Sequence, residues 1–274
     1  MTAVTFTRRP AFPTVDASDL VTYREACARW DAWRVAHGFA PGAPLLTPPG
    51  KNYKMAKGRY PTYGLTLAPA RVGGRNVCHD STRQCRALCL ATAGNGRYDS
   101  VTAARILRTR WLWADPVGMV SLALGELERA VYRHRDDARI GVRWNVLSDV
   151  DWQTVAPVLL EPRPRVRAYD YTKAWGRVGT DRYRLTYSRS ERTPDADVIA
   201  AVESGRNVAV AFSTTRGQAL PTRWLGCRVI DGDKTDYRPG DPVGVIIGLR
   251  AKGRARDRRF WGPGGFVVDV GATR

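Results

Sequence analysis

Short apolar runs alternate with segments of helical periodicity from residue 140 onward, and this alternation restricts the fold more than any other feature of the sequence. The predicted strands cover residues 140–147, 166–171, 183–187, 208–212, 227–230, 243–249 and 266–270, with an earlier one at 65–68. Strands that alternate with helices are typical of a parallel sheet covered on both faces. We therefore expect an α/β fold of the (β/α)-barrel type, as a partial or irregular TIM-type barrel, with an open doubly wound sheet as the alternative.

Helical periodicity and capping residues organise the first half of the chain. Apolar residues recur at helical spacing over residues 18–37, and a second helix is predicted over 98–113. The next helix is predicted to follow Asp115 as its N-cap, with Pro116 in the first turn. We expect residues 1–63 to form a helix and an arm rich in Gly, Pro and Tyr. Residues 64–274 should then form one α/β domain that includes a cysteine segment at 76–92.

Three of the five cysteines lie close together as Cys78, Cys85 and Cys89, in a C-x6-C-x3-C pattern. Cys85 and Cys89 are four residues apart, so both thiols face the same side of a helical turn. The loop before them is long enough to bring Cys78 to the same point. The pattern therefore predicts one metal centre. The nearby bases that we expect to favour the thiolate forms are Arg75, Arg83 and Arg86.

The identity of the metal follows from the available ligands. A [4Fe-4S] cluster accepts three cysteines and leaves one iron open to a substrate or to a distant ligand such as Cys227. A structural zinc ion needs four ligands, and His79 is adjacent to Cys78, where neighbouring side chains often point apart. We expect a [4Fe-4S] cluster, with zinc as the alternative and a redox thiol set or simple core packing as a third reading. Cys27 lies in an apolar helical stripe and is predicted to be a core residue.

Polar side chains follow several predicted strands at the point where each strand ends. In a barrel these carboxyl ends meet at one mouth, where active sites lie. Charged groups that share a cleft shift each other's pKa values, which favours acid–base chemistry. Helix caps and turns are the alternative explanation for the same residues. The candidate catalytic residues are Asn145, Asp149, Asp170, Lys173, Arg189, Glu191, Asp231 and Asp233.

The chain carries a formal net charge of +18, mostly from arginine. This charge favours contact with nucleic acid or another polyanion, although a GC-rich genome also produces arginine-rich proteins. Residues 250–259 contain six bases that suit phosphate contacts. The arm at 41–64 interleaves bases with tyrosines, as single-stranded nucleic acid binding requires, or forms an ordinary surface loop. The bases of this arm are Lys51, Lys54, Lys57 and Arg59.

No apolar run is long enough to span a membrane, and no apolar stretch follows the first bases as in a secretory signal. We therefore expect a location in a reducing cytoplasm and no membrane partner.

The cysteine pattern is followed by the segments WNVLSDVDW, YDYTK, TYSRSE, VIDGDKTD and GVIIGLRAKGRA. This combination resembles a family of actinobacteriophage proteins called gene product eighty-eight-like proteins, over residues 76–256. The resemblance implies a phage origin, a location in the host cytoplasm and one large domain with a shared cysteine triad. It implies no particular activity.

Together these features predict a phage iron–sulfur protein that acts as an enzyme or redox protein on an unidentified small-molecule substrate or electron partner. The alternative is a basic, nucleic-acid-binding phage protein with a structural zinc ion or a passive cluster. A third hypothesis is an interaction protein that modulates a host factor without catalysis.

Overall fold

A sheet of ten strands organises the part of the chain that the computed structural model describes, which is residues 12–51, 55, 58–92, 94–137 and 139–271. The strands are β1 (Leu46–Thr47), β2 (Thr62–Leu65), β3 (Ile140–Arg143), β4 (Val166–Thr172), β5 (Tyr183–Ser188), β6 (Asn207–Phe212), β7 (Arg223–Trp224), β8 (Cys227–Asp231), β9 (Ile246–Arg250) and β10 (Val267–Val268). The α-helices are α1 (Tyr23–Ala36), α2 (Arg83–Ala87), α3 (Asp99–Ala114), α4 (Pro116–Arg133), α5 (Trp152–Val155) and α6 (Asp195–Glu203).

The strand order is β1-β2-β3-β4-β5-β6-β9-β8-β7, and β10 pairs with the end of β6. The central strands run parallel, while the two-residue strands β1 and β7 pair antiparallel at the two edges. A barrel requires its two edges to pair with each other. These edges do not pair among the described strands, so the sheet is open. The α/β class is confirmed, and the predicted barrel is not.

Polar contacts occur on one face of the sheet beside β3 and β4. Alternate residues of one strand point to opposite faces. On β4, Ala168 packs in the main apolar cluster, which includes Leu65, Trp111 and Ile140. Tyr169 instead contacts Tyr237 in the segment between β8 and β9, and from that segment Asp236 accepts a hydrogen bond from Arg143 at 2.9 Å. Towards β6 and β9 the same face becomes apolar, with Ala209 and Ile247 in one cluster.

The N-terminal helix belongs to the same packed core as the sheet. Trp30 of α1 lies against Trp111 of α3 with ring centroids 4.7 Å apart, and both belong to the main apolar cluster. Cys27 packs against this cluster, as its position in the apolar stripe predicts. The division of the chain at residue 63 stays a prediction.

Helix α4 begins as its capping residues predict. The Asp115 carboxylate accepts the backbone N–H of Gly118 at 2.8 Å, and Pro116 is the first residue of the helix.

Within the described residues, no helix combines the length and the hydrophobicity that a membrane crossing needs. The N-terminal segment 1–11, as well as Lys54 and Lys57 of the arm, lies outside the described residues.

We expect Glu126→Ala to destabilise the fold. The Glu126 carboxylate of α4 accepts the backbone N–H groups of Leu45 and Leu46, each at 2.8 Å, and so joins the helix to the edge of the sheet. Its removal leaves buried donors without an acceptor, which costs about 2–4 kcal/mol. Urea denaturation measures the loss. Glu128→Ala, at an exposed position on the same helix, should change stability by less than about 0.5 kcal/mol. Equal losses in the two variants would contradict this role of Glu126.

Candidate functional site

A cavity of about 1450 Å³ lies at the carboxyl ends of the parallel strands. Arg143, Thr172 and Ser188 are the last residues of β3, β4 and β5, and all three line it. Such a position is where ligands bind in open parallel sheets. The three cysteines of the predicted triad, Cys78, Cys85 and Cys89, also line this cavity.

Helix α2 carries Cys85, and a carboxylate holds the beginning of this helix. The hydroxyl of Thr82 accepts the N–H of Cys85 at 3.1 Å and donates to Glu191 at 2.7 Å. Glu191 also accepts the N–H of Gln84 at 3.0 Å. Glu191 does not line the cavity. Its structural role is to fix the orientation of the cysteine helix from the loop after β5.

Cys78 is held by two neighbouring loops. Its sulfur accepts the backbone N–H of Ala70 at 3.3 Å and lies 3.6 Å from the carbonyl oxygen of Leu147. The N–H of Asp149 donates to the carbonyl of Val77 at 2.8 Å. The loop after β3 therefore positions the first cysteine of the triad.

Burial controls the protonation of the three thiols. It raises the pKa of Cys78 to about 12, and it also raises the pKa values of Cys85 and Cys89. The other two thiols raise the pKa of Cys78 further, so the three groups are close enough to interact. Lys173 opposes the effect at Cys85, and Arg105 opposes it at Cys89.

The expectation that nearby arginines favour thiolates is therefore not met, because burial outweighs them. The Arg75 guanidinium lies over the ring of Trp113, and Arg86 donates to Ser81. Lys173 and Arg105, which are distant in sequence, supply the positive charge instead.

His79 and Cys227, the two residues considered as a fourth metal ligand, do not line the cavity. The His79 ring packs edge-on against Phe12, with centroids 5.3 Å apart. Cys227 begins β8, at the opposite end of that strand from the cavity, and packs in a separate apolar cluster. Across the described residues, no three His, Cys, Asp or Glu side chains form a group that could hold a single metal ion.

Asn145 and Asp170 form a buried network that shapes the loop after β3. The Asp170 carboxylate accepts the backbone N–H of Asn145 at 2.6 Å and the hydroxyl of Tyr183 at 2.8 Å. The Asn145 side-chain oxygen accepts from Ser148 and Val150. Asn145 lines the cavity but Asp170 does not. Burial raises the pKa of Asp170 to about 7.

Asp149 and Lys173 meet at the cavity wall, as their positions after adjacent strands predict. The Asp149 carboxylate accepts the Lys173 backbone N–H at 2.8 Å and the Arg177 guanidinium at 3.0 Å. The Lys173 ammonium group donates to the carbonyls of Ser188 and Arg189, at 3.2 and 3.3 Å. Asp149, Lys173 and Arg189 all line the cavity.

Asp231 and Asp233 do not line the cavity but hold basic residues that do. The Arg250 guanidinium donates to both carboxylate oxygens of Asp231, at 3.0 and 3.1 Å. Asp233 accepts the backbone N–H of Arg250 at 3.0 Å and contacts the Lys252 ammonium group. The two aspartates thus orient the end of β9.

Basic residues beyond the predicted catalytic set dominate the cavity. The segment 250–259, noted in the sequence for its charge, supplies Arg250, Lys252 and Arg254. Helix α3 supplies Arg105 and Arg108, for which the sequence offers no signal because their placement depends on tertiary packing. Of the arm, Lys51 lines the cavity, whereas the Arg59 guanidinium lies over the ring of Tyr60.

Comparison with known proteins gives one match. A family model described as Gene product 88 matches residues 45–263, a range that includes the triad and every residue lining the cavity except Phe266. No curated protein and no solved structure matches the chain.

The raised pKa of Asp170 predicts a pH dependence of stability. Between about pH 4 and pH 7 the folded state keeps this proton while the unfolded state loses it, so folding becomes less favourable as pH rises. The stability difference between the wild type and Asp170→Asn should therefore shrink by about 1.4 kcal/mol per pH unit in this window and stay constant above it. Urea denaturation from pH 4 to 8 measures it. Asp181→Asn, at an exposed position, is the control. A wild-type-to-Asp170→Asn difference independent of pH would contradict the assignment.

Proposed function

This chain belongs to the Gene product 88 family of phage proteins, and we propose that it holds a [4Fe-4S] cluster with Cys78, Cys85 and Cys89 at the wall of the cavity. The proposed protein is an enzyme or redox protein whose small-molecule substrate or electron partner approaches the cluster from this cavity. The host cytoplasm is the proposed location, because thiols stay reduced there.

The observation that carries the proposal is the distribution of the three thiols around one cavity. They interact electrostatically, so they lie close enough to share one centre. A structural zinc ion needs four ligands, and neither His79 nor Cys227 lines the cavity to supply the fourth. A cubane cluster can bind through the three cysteines alone, which favours a cluster over zinc.

The charge around the triad also supports a cluster. Thiolates are the forms that bind metal, and they need compensating positive charge in a buried site. Lys173 lies near Cys85 and Arg105 near Cys89, where each lowers the pKa of the thiol against the effect of burial. Asp149 accepts the backbone N–H of Lys173 and fixes the start of that loop.

A cluster with three cysteine ligands supplies an open iron for substrate binding, or a centre for electron transfer. The chain's own residues would bind and orient what enters the cavity. Lys173 and Arg189 contribute positive charge beside the triad, and Glu191 keeps α2 and its cysteine in place.

Purification without oxygen, or reconstitution with iron and sulfide, tests the proposal. We expect a brown protein with visible absorption and about four irons and four sulfides per chain. Cys85→Ala should lose the colour and the iron. The controls Cys27→Ala and Cys227→Ala should keep both, because neither residue lines the cavity.

Two results would contradict the proposal. A colourless protein that carries one zinc ion per chain, released by Cys85→Ala, would assign the triad to zinc instead. Loss of colour in Cys27→Ala with a normal melting temperature would show that the ligands are misassigned.

A further inference from the structure

The cavity beside the triad is strongly basic. Eleven basic side chains line it, against two acidic ones, Asp149 and Asp236. The basic residues are Lys51, Arg71, Arg86, Arg105, Arg108, Arg143, Lys173, Arg189, Arg250, Lys252 and Arg254. Positive charge concentrated in a concave site raises the local concentration of anions.

Most of these cations have no carboxylate partner. Arg143 pairs with Asp236, while Arg250 and Lys252 pair with the two aspartates after β8. For the others, no carboxylate oxygen lies within 4.0 Å in the described part of the chain. The protein therefore balances the charge of the cavity only in part, because Glu191 acts on Lys173 and Arg189, and Glu126 acts on Arg108, from beyond ion-pair distance.

Among the cations without a carboxylate partner, Arg189 gives the strongest indication that the cavity binds an anion. It is only 8% exposed, and its guanidinium donates to the backbone carbonyls of Gly265 and Phe266, at 3.0 and 3.2 Å. Its Nε atom is buried and makes no hydrogen bond to any of the residues that the structure describes. Burial lowers the pKa of Arg189 and of Lys173. Burial outweighs the nearby carboxylates, among them Glu191, that raise both pKa values. A buried cation whose charge is only partly balanced is costly, and a bound anion reduces that cost.

Helix α3 supplies two further cations whose side chains donate to backbone carbonyls. Arg108 donates to the carbonyl of Leu45 at 3.1 Å, and burial lowers its pKa to about 10. Arg105 from the preceding turn donates to the carbonyl of Ala91 at 2.9 Å. Arg254, in the segment that follows β9, is exposed to solvent and lines the cavity. The cations of the cavity thus come from several elements of the fold, which suits a ligand with several negative charges.

We propose that this cavity binds a small molecule that carries phosphate groups, and that Arg189, Lys173 and Arg254 are among the groups that hold its phosphates. The proposal rests on the proposed function only in taking the cavity beside the triad as the substrate site. The volume of about 1450 Å³ exceeds the roughly 300–1000 Å³ of common ligand pockets, so a large phosphorylated molecule fits.

The lining favours a small phosphorylated molecule over a nucleic acid strand. Single-stranded nucleic acid binds by stacking its bases on free aromatic rings. The aromatic residues that line the cavity are Tyr171 and Phe266. Arg143 lies over the Tyr171 ring at 4.8 Å, and Lys173 lies over the Phe266 ring at 4.9 Å. Both rings therefore already contact cations and do not offer an open stacking surface.

Titration calorimetry with inorganic pyrophosphate, at constant ionic strength set with sodium chloride, tests the proposal. We expect saturable binding to the wild type. Arg189→Gln and Arg254→Gln should each weaken it about ten- to a hundredfold, as expected for the loss of a charge-assisted hydrogen bond. The matched controls Arg192→Gln and Arg256→Gln, which are exposed and do not line the cavity, should change binding less than about twofold. Arg254→Gln decides the test if Arg189→Gln does not fold.

The absence of saturable binding to the wild type would overturn the proposal. Equal weakening by the cavity variants and the exposed controls would also overturn it, because the contacts would then lie on the general basic surface. The proposal would also be overturned if a single-stranded oligonucleotide bound more tightly than pyrophosphate and if that binding were weakened by substitution of the exposed arginines.

Measurement on chains with and without iron separates this inference from the proposed function. If the protein binds pyrophosphate but never retains iron, the phosphate site is supported and the cluster proposal is wrong. If a brown, iron-loaded protein does not bind pyrophosphate, the cluster is supported and the phosphate-site proposal is wrong.

Discussion

Asp149 joins three segments of the chain, and the geometry of the cavity depends on it. Its backbone N–H donates to Val77 in the cysteine segment, while its carboxylate accepts from Lys173 after β4 and from Arg177. The Asp149 side chain is mostly buried, so each of these contacts lies in a medium of low dielectric, where it is stronger than in water. Without its carboxylate, the loop after β3 would lose its contacts with Lys173 and Arg177, and only the backbone contact to the cysteine segment would remain.

The parallel sheet explains why residues so far apart in sequence share one site. Its central strands end at one edge, and the loops that follow them therefore converge. Several carboxylates of this edge bind neighbouring basic side chains or backbone groups. Asp231 and Asp233 bind Arg250 and Lys252, and Glu191 binds the start of α2. They act as structural anchors, so the surface of the cavity itself remains basic.

The sequence predicted the elements whose signals are local, and it failed where the answer depends on tertiary contacts. Asp115 and Pro116 marked the start of α4, because capping involves only neighbouring residues. Barrel closure could not be judged from strand count, since it depends on whether the two edge strands pair with each other. The pairing of Arg143 with Asp236, 93 positions away, makes part of one face polar, and no spacing rule indicates it. The sequence likewise did not indicate that Asp231 pairs with Arg250. The two residues meet because β8 and β9 are neighbouring strands in the sheet.

The protonation of the triad supports the proposed metal-binding role more than a reactive-thiol role. Redox-active and nucleophilic cysteines have depressed pKa values and sit in partly exposed electropositive sites. Here burial raises the pKa of all three thiols, and the nearby Lys173 and Arg105 do not reverse it. Such thiols are poor nucleophiles at neutral pH but can still ligate a metal centre, since the positive charge of the metal displaces their protons. If the two proposals hold, the cations that line the cavity would balance two sets of negative charge, the thiolates of the triad and the phosphate groups of the ligand. Such a combined requirement would explain why the cavity has more basic side chains than three cysteines alone need.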